Sequence, residues 1–248
     1  MQPPFHRLEE FVPVSQKAMA RLSSWMLNRK SVRRLEPIRR EGDPVGSVFF
    51  LMDGWVTSSV RTQEGRRQIV KVHLPGDMLG FPSLALQHAG ETLDALTDGE
   101  LCVIPAKDIG ELFEQCPSLA TGLFLSTQKE RVALMQELSW IGSSSALGRL
   151  SAFLLDLHDR LNAAGLVDDG SFQFPLTQAH LGELLGMTNI HANRMMKQLY
   201  ETGYIARQGR CIRILNAEGL RDLTPSRPVA FAGAQAWQAL GCPGKSET

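Results

Sequence analysis

Between Phe174 and Ile214 the residues with the most specific chemistry share one helical repeat. Asn189, Ile190, Asn193, Arg194 and Lys197 sit at i, i+1, i+4, i+5 and i+8, while Ala192, Met195, Met196 and Leu199 sit at i, i+3, i+4 and i+7. The second spacing is that of a stripe facing a core, so the first set is the outward face, with His191 at its edge. That face is chemically suited to the major groove of duplex DNA, because arginine pairs with guanine through two hydrogen bonds and asparagine does the same with adenine. Taken singly, each side chain is what an ordinary solvated face carries. Their joint placement points to base reading by Asn189, Ile190, His191, Asn193 and Arg194.

The neighbouring sequence supplies elements that would hold this face in place. Thr177 can cap a helix over Gln178–Leu185, Gly186 ends it, and Met187-Thr188 makes a tight turn from which Thr188 caps the second helix. Two short helices joined this way form a helix-turn-helix. Gly203 stops the second helix, and Tyr204–Ala206 and Cys211–Ile214 are expected to be strands flanking Gln208-Gly209, a hairpin or wing. Arg207, Arg210 and Arg213 lie on or beside it, so phosphate contacts are expected from Thr177, Gln178, Lys197, Arg207 and Arg210. From Thr177 to Ile214 there are five cations (Arg194, Lys197, Arg207, Arg210, Arg213) against Glu183 and Glu201, a net charge of +3. If Ile212 and Ile214 face inward, Cys211 shares the outward face with Arg213; nearby guanidiniums would favour its thiolate, making it a candidate redox thiol, the alternative being an inert thiol on a strand.

The chain as a whole hides this local charge. Its 248 residues carry 26 Lys plus Arg and 26 Asp plus Glu, a formal net charge of zero. That excludes a chain basic throughout and an acidic disordered scaffold, but not one basic patch. A 43% hydrophobic share over this length predicts one large or two modest soluble domains. No apolar run is long enough for a transmembrane helix, and Met1–Arg7 lacks a secretory apolar segment, so a cytoplasmic protein is expected. Cys102, Cys116, Cys211 and Cys242 form no Cys-x-x-Cys pair and have no histidine at zinc-ligand spacing, so reduced thiols are expected.

From Ser31 to Ile104, glycine-bounded apolar runs at Val48–Met52, Trp55–Val60, Gln68–His73 and Leu101–Ile104 predict an antiparallel roll or sandwich, preceded by a helix over Ser15–Met26. Pro117–Ile141 predicts one long helix with apolar residues at Leu119, Leu123, Val132, Met135, Leu138 and Ile141. Its partner is either the roll or the same helix of a second chain, and the second chain is favoured. Gly142-Ser143-Ser144-Ser145 is the expected hinge, followed by a helix over Ala146–Asn162. The tail after Pro225 is expected to be loose, although Phe231, Trp237 and Leu240 could dock.

Several motifs resemble one known family. They are Gly54-Trp55-Val56 after Phe49-Phe50-Leu51, Gly65-Arg66-Arg67-Gln68-Ile69, Leu74-Pro75-Gly76-Asp77-Met78-Leu79-Gly80, and Pro175-Leu176-Thr177-Gln178 leading to Leu184-Leu185-Gly186-Met187-Thr188 and His191-Ala192-Asn193-Arg194. Over about Leu8–Leu223 the chain is similar to the Crp/Fnr transcription regulators. The resemblance implies an α+β chain: an N-terminal antiparallel β jelly roll like a cyclic-nucleotide-binding domain (1–113), a long dimerisation helix (114–141) and a C-terminal winged helix-turn-helix (142–224); the composition of the remainder adds a flexible tail (225–248). It also implies a homodimer through residues 117–141 on a palindromic operator in double-stranded DNA, RNA polymerase as a further partner, and a guanine as the partner of Arg194. The acidic residue that many members carry four positions earlier is Ile190 here, so the operator preference of the best-known members does not carry over.

The resemblance bears on what the roll senses. Cyclic AMP binders of the family carry a Gly-Glu pair and, shortly beyond, an Arg-Ser pair; here Gly80 precedes Phe81-Pro82, and Gly90–Thr97 contains no arginine. An anionic phosphate would lack its cation, so cyclic nucleotide binding is not expected. Iron-sulfur members use several cysteines near the N-terminus plus one in the roll, whereas no cysteine precedes Cys102, which is expected to be a small buried apolar residue. No cofactor is expected, and the effector stays unassigned. No catalytic or metal site is expected either. The rival from another class is a cupin-like metal-binding enzyme on the roll, which would need two or three histidines and a carboxylate where the roll offers only His73 and His88. A roll that binds no ligand is a third reading.

Overall fold

The computed structural model describes residues 4, 6–11 and 16–224. The tail residues Phe231, Trp237, Leu240 and Cys242 lie outside them. The described chain divides into two units. The first takes in residues up to Val60 and Val72–Ala133; the second takes in Arg61–Lys71 and the chain from Leu134 onward.

Along the chain as far as Ser143, short helices α1 (His6–Glu9) and α2 (Gln16–Trp25) precede strands β1 (Arg29–Val32), β2 (Pro37–Arg39), β3 (Ser47–Asp53), β4 (Val56–Arg61), β5 (Arg67–His73) and β6 (Met78–Leu79). After a 3-10 turn at Pro82–Ala85 come β7 (Thr92–Ala95), β8 (Gly99–Pro105), α3 (Ala106–Gln115) and α4 (Pro117–Ser143). The strands form two four-stranded sheets, ordered β1-β8-β3-β6 and β2-β7-β4-β5. Pairing across β1-β8, β3-β8, β3-β6, β2-β7 and β4-β7 is antiparallel. This is the expected roll.

Side-chain alternation along β3 builds two cores at once. Phe49 and Leu51 pack with Leu79, Leu93 and Leu101. Val48, Phe50 and Met52 point the other way and pack with Leu22 and Trp25 of α2 and Leu112 of α3. A strand covered on both faces is apolar nearly throughout, which is why this run stood out in the sequence. Cys102 lies in the second core with its Sγ 3.7 Å from Met26 Sδ, and burial pushes its thiol up.

That second core also takes in the start of α4. Leu119, Ala120 and Leu123 pack into it, so the first turns of the helix belong to its own roll. The apolar repeat continues beyond, where Met135 and Leu138 are 61% and 69% exposed. One periodic stripe thus has two surroundings: its first apolar residues are buried in the core of the roll, and its later ones are exposed.

The roll also buries polar groups. Ser58 Oγ lies 2.6 Å from His73 Nε2, which makes the His73 ring part of the packed interior, whereas His88 is exposed. The Pro75-Gly76-Asp77 turn is pinned to β3, with Gly76 N donating to the Leu51 carbonyl at 2.8 Å and Leu51 N to the Asp77 carbonyl at 3.0 Å. Arg39 is buried: its Nη1 donates to the Ser47 carbonyl at 3.2 Å and its Nη2 lies 3.5 Å from Glu91 Oε1. The guanidinium packs directly on Gly80, where a Cβ would collide with it. Desolvation pulls the Arg39 pKa down.

The second unit holds α5 (Ala146–Ala163), β9 (Ser171–Gln173), α6 (Gln178–Leu185), α7 (Asn189–Glu201), β10 (Ile205–Gln208), β11 (Cys211–Ile214) and α8 (Ala217–Leu223). Leu150, Leu154, Leu157 and Leu161 give α5 a buried stripe at three- and four-residue intervals. The expected hinge is narrower than Gly142–Ser145. Helix α4 runs to Ser143 and Ser144 N still donates to the Trp140 carbonyl at 3.1 Å, so the break falls at Ser144-Ser145, where Ser145 caps α5. A glycine inside a helix weakens it by about 1 kcal/mol without ending it.

Candidate nucleic-acid interface

Helices α6 and α7 form around two side-chain caps and one glycine. Thr177 Oγ1 accepts from His180 N at 3.3 Å while His180 Nδ1 accepts from Thr177 N at 3.3 Å, a reciprocal pair that satisfies two otherwise unpaired amides. Gly186 ends α6 at φ +65°, the left-handed conformation that suits a residue without a Cβ. Thr188 Oγ1 then accepts from His191 N at 3.2 Å and starts α7. The expected helix-turn-helix is present.

On α7 the structure separates the two sets of residues. Ala192, Met195, Met196 and Leu199 are buried; Asn189, Ile190, Asn193, Arg194 and Lys197 are exposed; His191 is half-buried at the edge. Ile190 is 84% exposed. Asn189 differs from its neighbours in one respect. A Cβ on Gly182 of α6 would stand 2.8 Å from Asn189 Oδ1 and 2.7 Å from the Met187 carbonyl, so the Asn189 amide oxygen is turned back over α6. Lys197 Nζ lies 3.5 Å from Glu201 Oε1 one turn on, a surface pair that leaves its cation in solvent.

The predicted hairpin is a three-stranded sheet in the order β10-β11-β9, all antiparallel. The third strand, β9, went unpredicted: three residues with one apolar side chain, Phe172, carry almost no periodic signal. Phe172 is fully buried and meets Phe174 edge to face, ring centroids 6.5 Å apart. Arg207 and Arg210 are exposed at the β10–β11 turn, and Arg207 Nε donates to the Gly209 carbonyl at 3.1 Å. Thr177 and Gln178 are exposed at the start of α6.

Arg213 and Cys211 depart from the simple picture of an outward basic strand. The Arg213 guanidinium is bound by the carboxylate of Asp169, which lies outside the Thr177–Ile214 segment. Cys211 is half-buried on the central strand, facing Gln208 on one side and Gln173 on the other.

Three contacts that the sequence did not reveal hold α6. Arg149 of α5 donates from Nε to the Leu185 carbonyl at 3.2 Å. Gln68, near the start of β5, donates its amide to the Glu183 carbonyl, and Arg67 Nε lies 3.7 Å from Glu183 Oε2. Among the described residues, no group of three or more His, Cys, Asp or Glu could hold a metal ion, and no helix is long and apolar enough to cross a membrane.

Comparison with known proteins agrees with this geometry. A family model described as a cyclic nucleotide-binding domain matches residues 29–116, and one described as a Crp-like helix-turn-helix domain matches residues 148–223. The "Transcriptional regulatory protein btr" of Bordetella pertussis is 28% identical over 214 residues, covering 86% of this chain and 88% of that protein. The "Anaerobic regulatory protein" of Haemophilus influenzae is 25% identical over 211 residues, covering 85% of this chain and 82% of that protein. Among solved structures, FixK2 from Bradyrhizobium japonicum superposes with a TM-score of 0.73 at 26% identity, covering 81% of this chain and 98% of that one. The matches give the cupin-like alternative no support. A roll matched to the cyclic nucleotide-binding domain, followed in one chain by a matched Crp-like helix-turn-helix, places this protein in the Crp/Fnr family of transcription regulators.

Proposed function

We propose that the protein is a cytoplasmic, non-enzymic homodimer that lays α7 of each protomer into the major groove of a palindromic operator, with half-sites about one helical turn apart. The observation that carries this reading is the division of α7 into a buried apolar stripe and an exposed face holding Ile190, Asn193, Arg194 and Lys197. Arg194 reads a guanine, Asn193 and His191 contact neighbouring base edges, and Asn189 acts at the margin. Thr177, Gln178, Lys197, Arg207 and Arg210 hold phosphates. Functionally the chain divides into a roll (1–113), a dimerisation helix (114–141) and a reader (142–224). The exposed Met135 and Leu138 supply the contact with a second copy of α4, and RNA polymerase is a further partner.

We read the roll as dependent on neither cyclic AMP nor an iron-sulfur cluster. The Glu91 carboxylate and Arg39 guanidinium face each other beside Gly80, and among the described residues no group of three or more His, Cys, Asp or Glu stands around the buried thiols Cys102 and Cys116. A redox role for Cys211 is excluded if peroxide abolishes operator binding equally in Cys211→Ser.

Selection of bound sites from random DNA tests the main reading. It should return an inverted repeat, and Arg194→Ala should lose discrimination at one guanine per half-site, by about 1–3 kcal/mol each. Unchanged affinity and specificity in Arg194→Ala would remove α7 from the recognition role.

A further inference from the structure

We propose that Ile190 selects a thymine in each half-site by packing its side chain against the base's 5-methyl group, beside the base pair read by Arg194. The inference rests on the reading of α7 as the helix that enters the groove.

Ile190 stands in the first turn of α7 and is 84% exposed, while the stripe of this helix that packs inward is Ala192, Met195, Met196 and Leu199. It therefore contributes little to the fold. Among the described residues of α6 and α7 it is the one exposed large apolar side chain. Arg194 follows it at i+4, on the same face and about 6 Å further along the axis. That is close to two base-pair steps of about 3.4 Å, so the two side chains address nearby base pairs. Asn193, Arg194 and Lys197 surround it with polar and positive groups that suit a phosphate-lined groove rather than an apolar protein surface.

Chemistry then narrows what Ile190 can meet there. A β-branched side chain is stiff at χ1 and presents fixed methyl groups with neither donor nor acceptor. The thymine methyl is the major-groove feature suited to such a surface, and packing Ile190 on the donors and acceptors of the other bases would desolvate them unpaired. The side chain thus discriminates by contact with thymine and by exclusion of the rest.

Deoxyuridine differs from thymidine only by that methyl group, which gives a direct test. In the operator selected by the wild-type protein, each thymine is replaced in turn by deoxyuridine in both half-sites, and affinity is measured for the wild type, Ile190→Ala and Arg194→Ala. One thymine position should weaken wild-type binding about fourfold per half-site, the effect of burying one methyl group. Ile190→Ala should bind the thymine and deoxyuridine operators alike, while Arg194→Ala should keep the dependence on the methyl group. The proposal is overturned if no deoxyuridine weakens the wild type, or if Ile190→Ala responds as the wild type does. If that happened while base substitution at the selected guanine showed that Arg194→Ala had lost its guanine preference, the reading of α7 would stand and only the role of Ile190 would fall. A wild-type protein that selects no sequence would overturn both.

Discussion

Arg149 donates from Nε to the carbonyl of Leu185 at 3.2 Å, joining the start of α5 to the end of α6. Its Nη1 also donates to the Ser144 carbonyl at 2.8 Å, at the break between α4 and α5. One guanidinium therefore satisfies an end carbonyl of α6, where a cation is also favoured by the helix dipole, and fixes the chain entering the reader.

Arg149→Met should keep the aliphatic packing and remove both hydrogen bonds. Bonds to a charged group are worth about 1.5–3 kcal/mol, so urea denaturation of the full chain should show a loss of that order. Affinity for operator and for random DNA should fall together, since no base-facing side chain is changed. A selective loss of operator affinity would mean that Arg149 touches DNA directly.

Gly182 marks where α6 and the turn before α7 come closest. A Cβ there would stand 2.7 Å from the Met187 carbonyl, a backbone atom with little room to yield. Gly182→Ala should push the turn outward and destabilise the protein by about 1–3 kcal/mol, read in the same denaturation experiment. Because the turn sets the angle of α7, operator affinity should drop more than affinity for random DNA. Equal losses would show that the angle of α7 had not changed.

How much of this was legible in the sequence differs by element. The reader was clear because α6 and α7 are specified locally: Thr177 and Thr188 cap, Gly186 stops, and the four buried residues of α7 keep strict helical spacing. Strands β1, β2, β6 and β7 were missed because their identity comes from their neighbours. Met78–Leu79 is two residues long and is a strand only because it pairs with Phe49 and Phe50. Leu119 and Leu138 look alike in the helical pattern, yet one is buried by the roll and the other is open. No periodicity distinguishes those surroundings. Arg39 was invisible for a similar reason: a charged residue is assigned to the surface until a distant carboxylate and a glycine are found around it.

The Arg39–Glu91 pair should behave as a buried ion pair that depends on both members. Arg39→Met leaves the Glu91 carboxylate largely buried without its counterion, a change that costs about 3–5 kcal/mol. Pairing it with Glu91→Gln removes the stranded charge, and the double variant should recover most of the loss. A double-mutant cycle by chemical denaturation measures the coupling. Additive losses would show that the two groups do not sense each other.

Salt dependence should separate the arginines of the wing. Arg210 is exposed, while the Arg213 guanidinium is bound by Asp169. A residue that neutralises a phosphate contributes about 0.9 to the slope of log affinity against log salt, through release of a counterion. Arg210→Ala should therefore reduce the slope by about 1 per protomer and weaken binding to all sequences alike. Arg213→Ala should leave the slope unchanged, because its charge is already answered within the protein. If Arg213→Ala lowers the slope as Arg210→Ala does, then Asp169 releases its arginine to the backbone when DNA binds, and the acid holds Arg213 only in the free protein.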